Sequence, residues 1–177
     1  MNFTETHIPG AFVVDLERRE DDRGFFARAW DVNEFARHGL STRLVQANVS
    51  YNRAAGTLRG MHFQRAPHEE AKLIRCTRGA VYDVIVDLRP DSEAFKRWLG
   101  AELSAENGRA VYVPEGCAHG YQTLTDGAET FYLVSELYAP ESEGGVRWDD
   151  PAFGIAWPEA GRRVISPKDA SWPDFED

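Results

Sequence analysis

Apolar and polar residues alternate along most of this chain in short runs, each closed by Gly, Pro, Asp or Asn. AFVVDL (11–16), STRLVQANVSY (41–51), GTLRGMHFQ (56–64), AKLIRCTRG (71–79), AVYDVIVDL (80–88), RAVYVP (109–114), YQTLT (121–125) and TFYLVSELY (130–138) are rich in β-branched and aromatic residues, and each predicts a strand. Strands at this spacing predict an all-β sandwich or barrel. In AVYDVIVDL, Val81, Asp83, Ile85 and Asp87 share one face, and Tyr82, Val84, Val86 and Leu88 the other. The first face is mixed, which suits a barrel whose interior is partly polar, as a binding cavity requires. Only DVNEFARHG (31–39) reads as a helix, with Asp31 as N-cap and Gly39 as its stop. From Pro140 onward the chain is rich in Pro, Gly, Trp and charge, which predicts an irregular segment wrapping the β-core. No repeat or linker divides the sequence, so residues 1–177 are expected to form a single domain.

A chain of 177 residues buries roughly 70% of its unfolded surface and needs no covalent staple. Cys76 and Cys117 are the two cysteines; both sit in apolar, strand-like contexts without ligand or redox spacing, which points to a reduced, cytoplasmic protein. MNFTETHIPG lacks the blocks of a signal peptide, and no apolar run approaches the ~20 residues of a membrane span, so no membrane partner is expected. A formal net charge of −9 argues against nucleic acid as a partner. Any anionic ligand would have to be held by a local basic pocket.

Two histidines interrupt this pattern. His62 lies in a strand-like run shortly after Arg59, and His119 lies in VPEGCAHGYQ. The segment from Gly108 to Gln122 resembles the second cupin motif, with Gly108, Pro114, Gly116 and His119 in step; the spacing predicts a strand, a tight turn and a return strand that points His119 inward. The first cupin motif carries two histidines one residue apart, and here those positions are His62 and Gln64. A metal site built from His62, His119 and Glu69 or Glu70 would be one ligand short, so neither metal nor cofactor is expected. A lone strand histidine is ordinarily a hydrogen-bonded core residue. Two inward histidines beside Arg59 and Lys72 point instead to a site. Cys117 has no evident activating partner and reads as a small buried hydrophobe.

DDRGFF (21–26), VQANVS (45–50), GTLRGMHFQ (56–64), KLIRCTRG (72–79), VYDVIVDLR (81–89), LSAENGR (103–109), VPEGCAHG (113–120), YAPESEG (138–144), VRWDDP (146–151) and ISPKD (165–169) together resemble the dTDP-4-dehydrorhamnose 3,5-epimerase family, a metal-free branch of the cupins. The resemblance implies a cupin-type double-stranded β-helix, or jelly-roll, barrel that forms a homodimer. It implies an isomerase of deoxysugar biosynthesis, acting at C3, C5 or both of a nucleoside-diphosphate 4-keto-6-deoxyhexose. His62 takes the family's base position, Asp169 that of its dyad partner and Tyr132 that of the acid. Lys72, Arg59 and His119 match residues lining the sugar and diphosphate site. Arg23, Gln46, Asn48, Glu143 and Lys168 match further ligand contacts, and Tyr138 matches the aromatic that stacks on the nucleobase. A metal-dependent dioxygenase or isomerase, and a non-catalytic sugar-binding cupin, are the alternatives.

The chemistry suits these residue types. A proton beside a ketone is acidic when the enolate oxygen is stabilised, which Lys72 or a neutral donor such as His119 could do. A histidine held by a carboxylate is a fitting base near neutral pH. A tyrosine whose pKa nearby cations lower could return the proton. Three positions depart from the family pattern: Arg28 and Ala47 stand where acidic residues are usual, in blocks associated with the nucleotide, and Leu133 replaces a common lysine. The first two predict that thymidine is not strongly preferred.

Overall fold

The alternating runs become the strands of two sheets that face one another. In the computed structural model, which describes residues 1–176, the strands are β1 (Asn2–Glu5), β2 (Phe12–Asp15), β3 (Arg19–Asp21), β4 (Gly24–Phe26), β5 (Gln46–Asn52), β6 (Thr57–Gln64) and β7 (Lys72–Arg78), followed by β8 (Ala80–Asp87), β9 (Trp98–Ser104), β10 (Ala110–Val113), β11 (Cys117–Thr123), β12 (Ala128–Val134), β13 (Glu143–Gly145) and β14 (Val164–Ile165). One sheet runs β1-β2-β10-β7-β12-β5. The other runs β13-β6-β11-β8-β9, with β14 parallel to β6. β3 and β4 form a separate hairpin. The interleaving of chain-distant strands in both sheets gives the expected jelly-roll barrel.

The faces of β8 show why the barrel closes. Val81 and Ile85 point inward and join Ile74, Leu103, Val111 and Val113 in the interior core. Asp83 and Asp87 lie on the same inward face and are also buried. Val84 and Val86 point outward, where Phe153, Ile155, Trp157 and Phe175 of the C-terminal segment cover them. Each large apolar side chain removed from water contributes about 1.5–3 kcal/mol. The segment that sequence pattern marks as irregular is therefore a structural layer, seated on the barrel by its aromatics.

Helix α1 (Val32–Arg37) closes the outer face of the first sheet. Asp31 caps it by accepting the N–H groups of Asn33 and Glu34, and the chain leaves through Gly39 at φ +69°. Its Phe35 is fully buried against Phe12, Leu73 and Tyr112.

Several expectations need correction. β5 begins only at Gln46 and β12 ends at Val134, so 41–45 and 135–138 are connections. The segment around Pro114–Gly116 is not a hairpin: β10 belongs to the first sheet and β11 to the second, and the turn carries the chain between them. ISPKDA holds a second short helix, α2 (Pro167–Ala170), whose Ser166 accepts the Asp169 N–H, with Pro167 in the first turn. Ser before Pro is a helix-start signal that the loop-like composition masked.

Candidate active site

Strict alternation would put Arg59 and His62, three residues apart on β6, on opposite faces. They line the same chamber. The reason is a register shift: His119 of β11 pairs with His62, yet Tyr121, two residues on, pairs with Arg59, so β6 carries an extra residue. Glycines make this possible. A Cβ on Gly60, at φ +119°, would lie 2.6 Å from the Gly120 Cα, and one on Gly120 would lie 2.7 Å from the Arg59 carbonyl oxygen. Regular alternation supplies the other walls, with Gln46, Asn48 and Ser50 from β5, Lys72 and Ile74 from β7 and Tyr132 from β12.

These residues enclose two connected spaces. An inner chamber of about 170 Å³ is lined by Arg59, His62, Lys72, His119, Tyr121 and Tyr132, among others. An outer chamber of about 470 Å³ is lined by Gln46, Asn48, Glu70, Tyr138 and Glu143, among others. His62, Lys72 and Tyr132 border both and form the neck between them.

Two histidine–carboxylate pairs hold the inner chamber. His62 Nε2 lies 2.7 Å from Asp169 Oδ1, and Asp169 Oδ2 accepts the Gly60 N–H at 3.3 Å. Burial alone would raise the Asp169 carboxyl, but the His62 hydrogen bond and charge outweigh it and hold the group below the usual carboxylate range. The carboxylate accepts the Nε2 proton and leaves Nδ1 for a ligand. On the neighbouring strand β11 of the same sheet, His119 Nε2 lies 2.8 Å from Oδ2 of the buried Asp83. Lys72 Nζ lies 2.9 Å from Glu70 Oε1. Burial pushes the Tyr132 phenol up, with smaller upward pushes from Tyr121 and Glu70 and an opposing pull from Arg59.

A histidine with one nitrogen held by a carboxylate and the other free, a neutral phenol and a lysine around one small chamber form an acid–base site. The family model described as dTDP-4-dehydrorhamnose 3,5-epimerase matches residues 5–177. This chain belongs to that family. It is 44% identical over 175 residues to the dTDP-4-dehydrorhamnose 3,5-epimerase of Sinorhizobium fredii, covering 99% of this chain and 90% of the relative. The crystal structure of the Bacillus anthracis epimerase with TDP and pyrophosphate bound superposes with a TM-score of 0.94 at 41% identity, covering 98% of this chain and 99% of that one. That of the Legionella pneumophila epimerase in complex with dTDP-4-keto-L-rhamnose gives 0.90 at 33% identity, covering 99% of both. The chain is thus a cupin-type jelly roll and a sugar epimerase of deoxysugar biosynthesis, with a nucleotide sugar as substrate.

Most residues singled out in the sequence converge on the epimerase's two chambers. Asp169 reaches the chamber through His62, and Lys168 reaches the rim through both oxygens of Glu143, at 2.6 Å each. Tyr138 donates its hydroxyl to Glu143 at 3.0 Å, and its N–H meets Gln46 Oε1 at 3.3 Å. Arg23 is the exception: it stands exposed in the β3–β4 turn, bound to Asp21, and lines neither chamber.

Other expectations change in detail. The Tyr132 phenol is raised rather than lowered, because burial outweighs its cationic neighbour. His119, with Nε2 turned to Asp83, offers Nδ1 as an acceptor rather than a donor. The Gln64 amide is spent on the backbone of His68, Leu137 and Ala139, fixing the loop that carries Tyr138. Among the described residues no group of three or more His, Cys, Asp or Glu could hold a metal ion, so the metal-cupin alternative lacks a donor set. Cys117 is buried and its thiol is pushed up to about 12. Leu133 faces away from the chambers, against the cluster that contains Leu73. Ala47 lies exposed opposite it on β5, and Arg28 pairs with the helix cap Asp31 at 3.1 Å. Neither lines a chamber of its own chain, which removes the local ground for expecting thymidine to be disfavoured.

Sequence reasoning missed Asp83 and Tyr121, which hold the chamber floor, and Trp172. The Trp172 ring meets the His62 ring edge-on, with centroids 6.4 Å apart. A Cβ on Gly145 would sit 2.2 Å from that indole, so this glycine is what admits it. The paired glycines in SEGG and the tryptophan after ISPKD were the available signals, legible only once β13 and α2 are seen to meet.

Proposed function

We propose that the epimerase removes a proton from the carbon beside the C4 ketone with His62 and returns one to the opposite face from Tyr132. The carbon–hydrogen bond breaks toward His62 Nδ1, and its electron pair moves through the adjacent carbon to the ketone oxygen, giving an enolate. Reprotonation at the same carbon restores the ketone with inverted configuration, so the step is redox-neutral. The observation that carries this reading is the His62–Asp169 pair at 2.7 Å in the wall of a chamber that Tyr132 also lines. A raised phenol pKa favours it, since an acid must still hold its proton at working pH.

In this reading Lys72 supplies charge at the developing oxyanion, Arg59 holds the sugar and diphosphate, and His119 accepts a sugar hydroxyl. Gln46, Asn48, Glu143 and Lys168 surround the diphosphate and ribose, and Tyr138 stacks on the base. Lys72, which lines the outer chamber, and Lys168 at its rim are each paired with a glutamate, Lys72 with Glu70 and Lys168 with Glu143. That leaves Arg59 to face a diphosphate that carries more than one charge; Arg23 would add a second cation, and it can do so only from a second copy. A homodimer fits this need. It also fits the free edge of β5 and the exposed Phe25, Phe26, Val49 and Tyr51. Scattering that gives a concentration-independent monomer mass would overturn the dimer.

The decisive experiment incubates the protein with nucleoside-diphosphate 4-keto-6-deoxyhexoses in deuterated water and follows label at C3 and C5. His62→Ala should lower exchange at both carbons by ~10²-fold or more. Near wild-type exchange in that variant would place the base elsewhere.

A further inference from the structure

Glu70 lies in the connection before β7, and it is not one of the residues to which the family resemblance gives a role. Its side chain is 12% exposed and that of Lys72 11%, so the pair is withdrawn from bulk water at the mouth of the inner chamber. Glu70 lines the outer chamber only, whereas Lys72 borders both. The carboxylate thus grips the ammonium from the outer side of the neck. A lysine side chain has four rotatable bonds and no preferred direction of its own. A partner at 2.9 Å fixes where its charge sits, and in this poorly hydrated setting that partner is felt strongly.

We infer that Glu70 is a positioning residue of the epimerase: it holds the Lys72 ammonium at the neck, and its negative charge sets the electrostatic setting in which Tyr132 works. The inference rests on the proposed roles of Lys72 and Tyr132. Tyr132 faces Lys72 from β7, Arg59 and His62 from β6, and Tyr121 and His119 from β11, with Glu70 at the neck. Glu143, the other acid of the outer chamber, is engaged by Lys168. Glu70 is accordingly the one carboxylate among these groups that is tied to a neck residue other than His62. It opposes the pull of Arg59 on the phenol and so adds to the burial that keeps the proton on Tyr132.

The test compares Glu70→Gln and Glu70→Ala in the full-length protein. Glutamine keeps an oxygen for Lys72 but removes the charge; alanine removes both. Glu70→Ala should lower kcat for exchange about tenfold or more without raising KM, because the ammonium loses its place while an anion near the diphosphate is removed. Glu70→Gln should recover most of that kcat. Its Tyr132 phenol should nevertheless titrate at lower pH than in the wild type, and the alkaline limb of inversion should move with it. The phenol is read without ligand, as the ultraviolet tyrosinate difference between each protein and its Tyr132→Phe counterpart. A merely structural residue would leave that titration in place. Wild-type kcat in Glu70→Ala, or an unmoved Tyr132 titration in Glu70→Gln, overturns the inference. Because the titration needs no turnover, it decides the role of Glu70 even where the wild type exchanges no label, the result that would instead overturn the epimerase mechanism.

Discussion

Asp169→Asn tests the dyad with almost no change in shape. In the native site one carboxylate oxygen accepts from His62 Nε2 at 2.7 Å and the other accepts the Gly60 N–H at 3.3 Å. An asparagine can satisfy Gly60 only with its carbonyl oxygen, which turns its NH₂ toward the ring. Nε2 must then accept, and the ring proton moves to Nδ1, the nitrogen that should take the substrate proton. The base loses its lone pair while every heavy atom stays in place. Wrong-tautomer substitutions of this kind cost on the order of 10²–10⁴ in rate, roughly 3–5 kcal/mol of transition-state stabilisation. The assay is deuterium incorporation at C3 and C5 in deuterated water, with melting curves run alongside. The melts carry their own sign. Asp169 has a depressed pKa in the fold, so its stabilisation is present above the ordinary value of 3.8 and is lost as pH falls through the folded value. The stability gap between wild type and Asp169→Asn should be flat at neutral pH and close on acidification below pH 3.8. Exchange within about threefold of wild type would refute the tautomer argument, since 10²-fold is the least it allows.

Tyr132→Phe should still take up label but show little inversion at C5, because the proton returns from His62 to its original face; inversion at the wild-type rate would send the search for the acid to bound water. In the wild type the alkaline loss of inversion due to Tyr132 should fall above pH 10, the ordinary phenol value, since burial raises it, and a pH profile of C5 inversion checks this. Gly145→Ala should expel the Trp172 indole and lower exchange together with thermal stability, as read by tryptophan fluorescence and melting. Phe35→Ala should cost about 3–5 kcal/mol in denaturant unfolding while leaving exchange per folded molecule unchanged, because helix α1 covers the outer face of the sheet and touches neither chamber.

What was legible in the sequence follows from which forces are local. β8 reads correctly because one strand's period decides which side chains enter the barrel, and the same is true of Asp31 and Gly39 around α1. The bulge in β6 could not be read, because it exists only through contact between Gly60 and Gly120, two glycines from different strands. The direction of the Tyr132 shift was missed for a related reason. Sequence shows which cations lie nearby in the chain, whereas burial depends on how β12 sits between its neighbours. Arg23 illustrates the converse. The family resemblance gives it a ligand contact, but its own chain sets it in an exposed turn, and only the proposed homodimer would bring it to a chamber.

The two halves of the barrel interior divide stability from chemistry. Val81, Ile85, Leu103, Val111 and Val113 fill one part with closely fitted apolar side chains, and Ile74 borders the chamber from that side. The other part buries His119 and Asp83, whose Oδ1 finds no hydrogen-bond partner among the described residues, and it ties Lys72 to Glu70. An apolar replacement for such pairs would commonly stabilise a fold by about 1–4 kcal/mol, so their presence is not explained by folding. Their arrangement fits the proposed reaction. Each histidine presents one ring nitrogen to the chamber because a carboxylate holds the other, and their strands set the two rings directly opposite in register. The two rings stand side by side on the wall that one sheet provides, and the phenol of Tyr132 enters from the other sheet. Inversion needs a base and an acid on different sides of one carbon. A barrel whose strands enter the chamber from two facing sheets supplies those directions as a consequence of its topology.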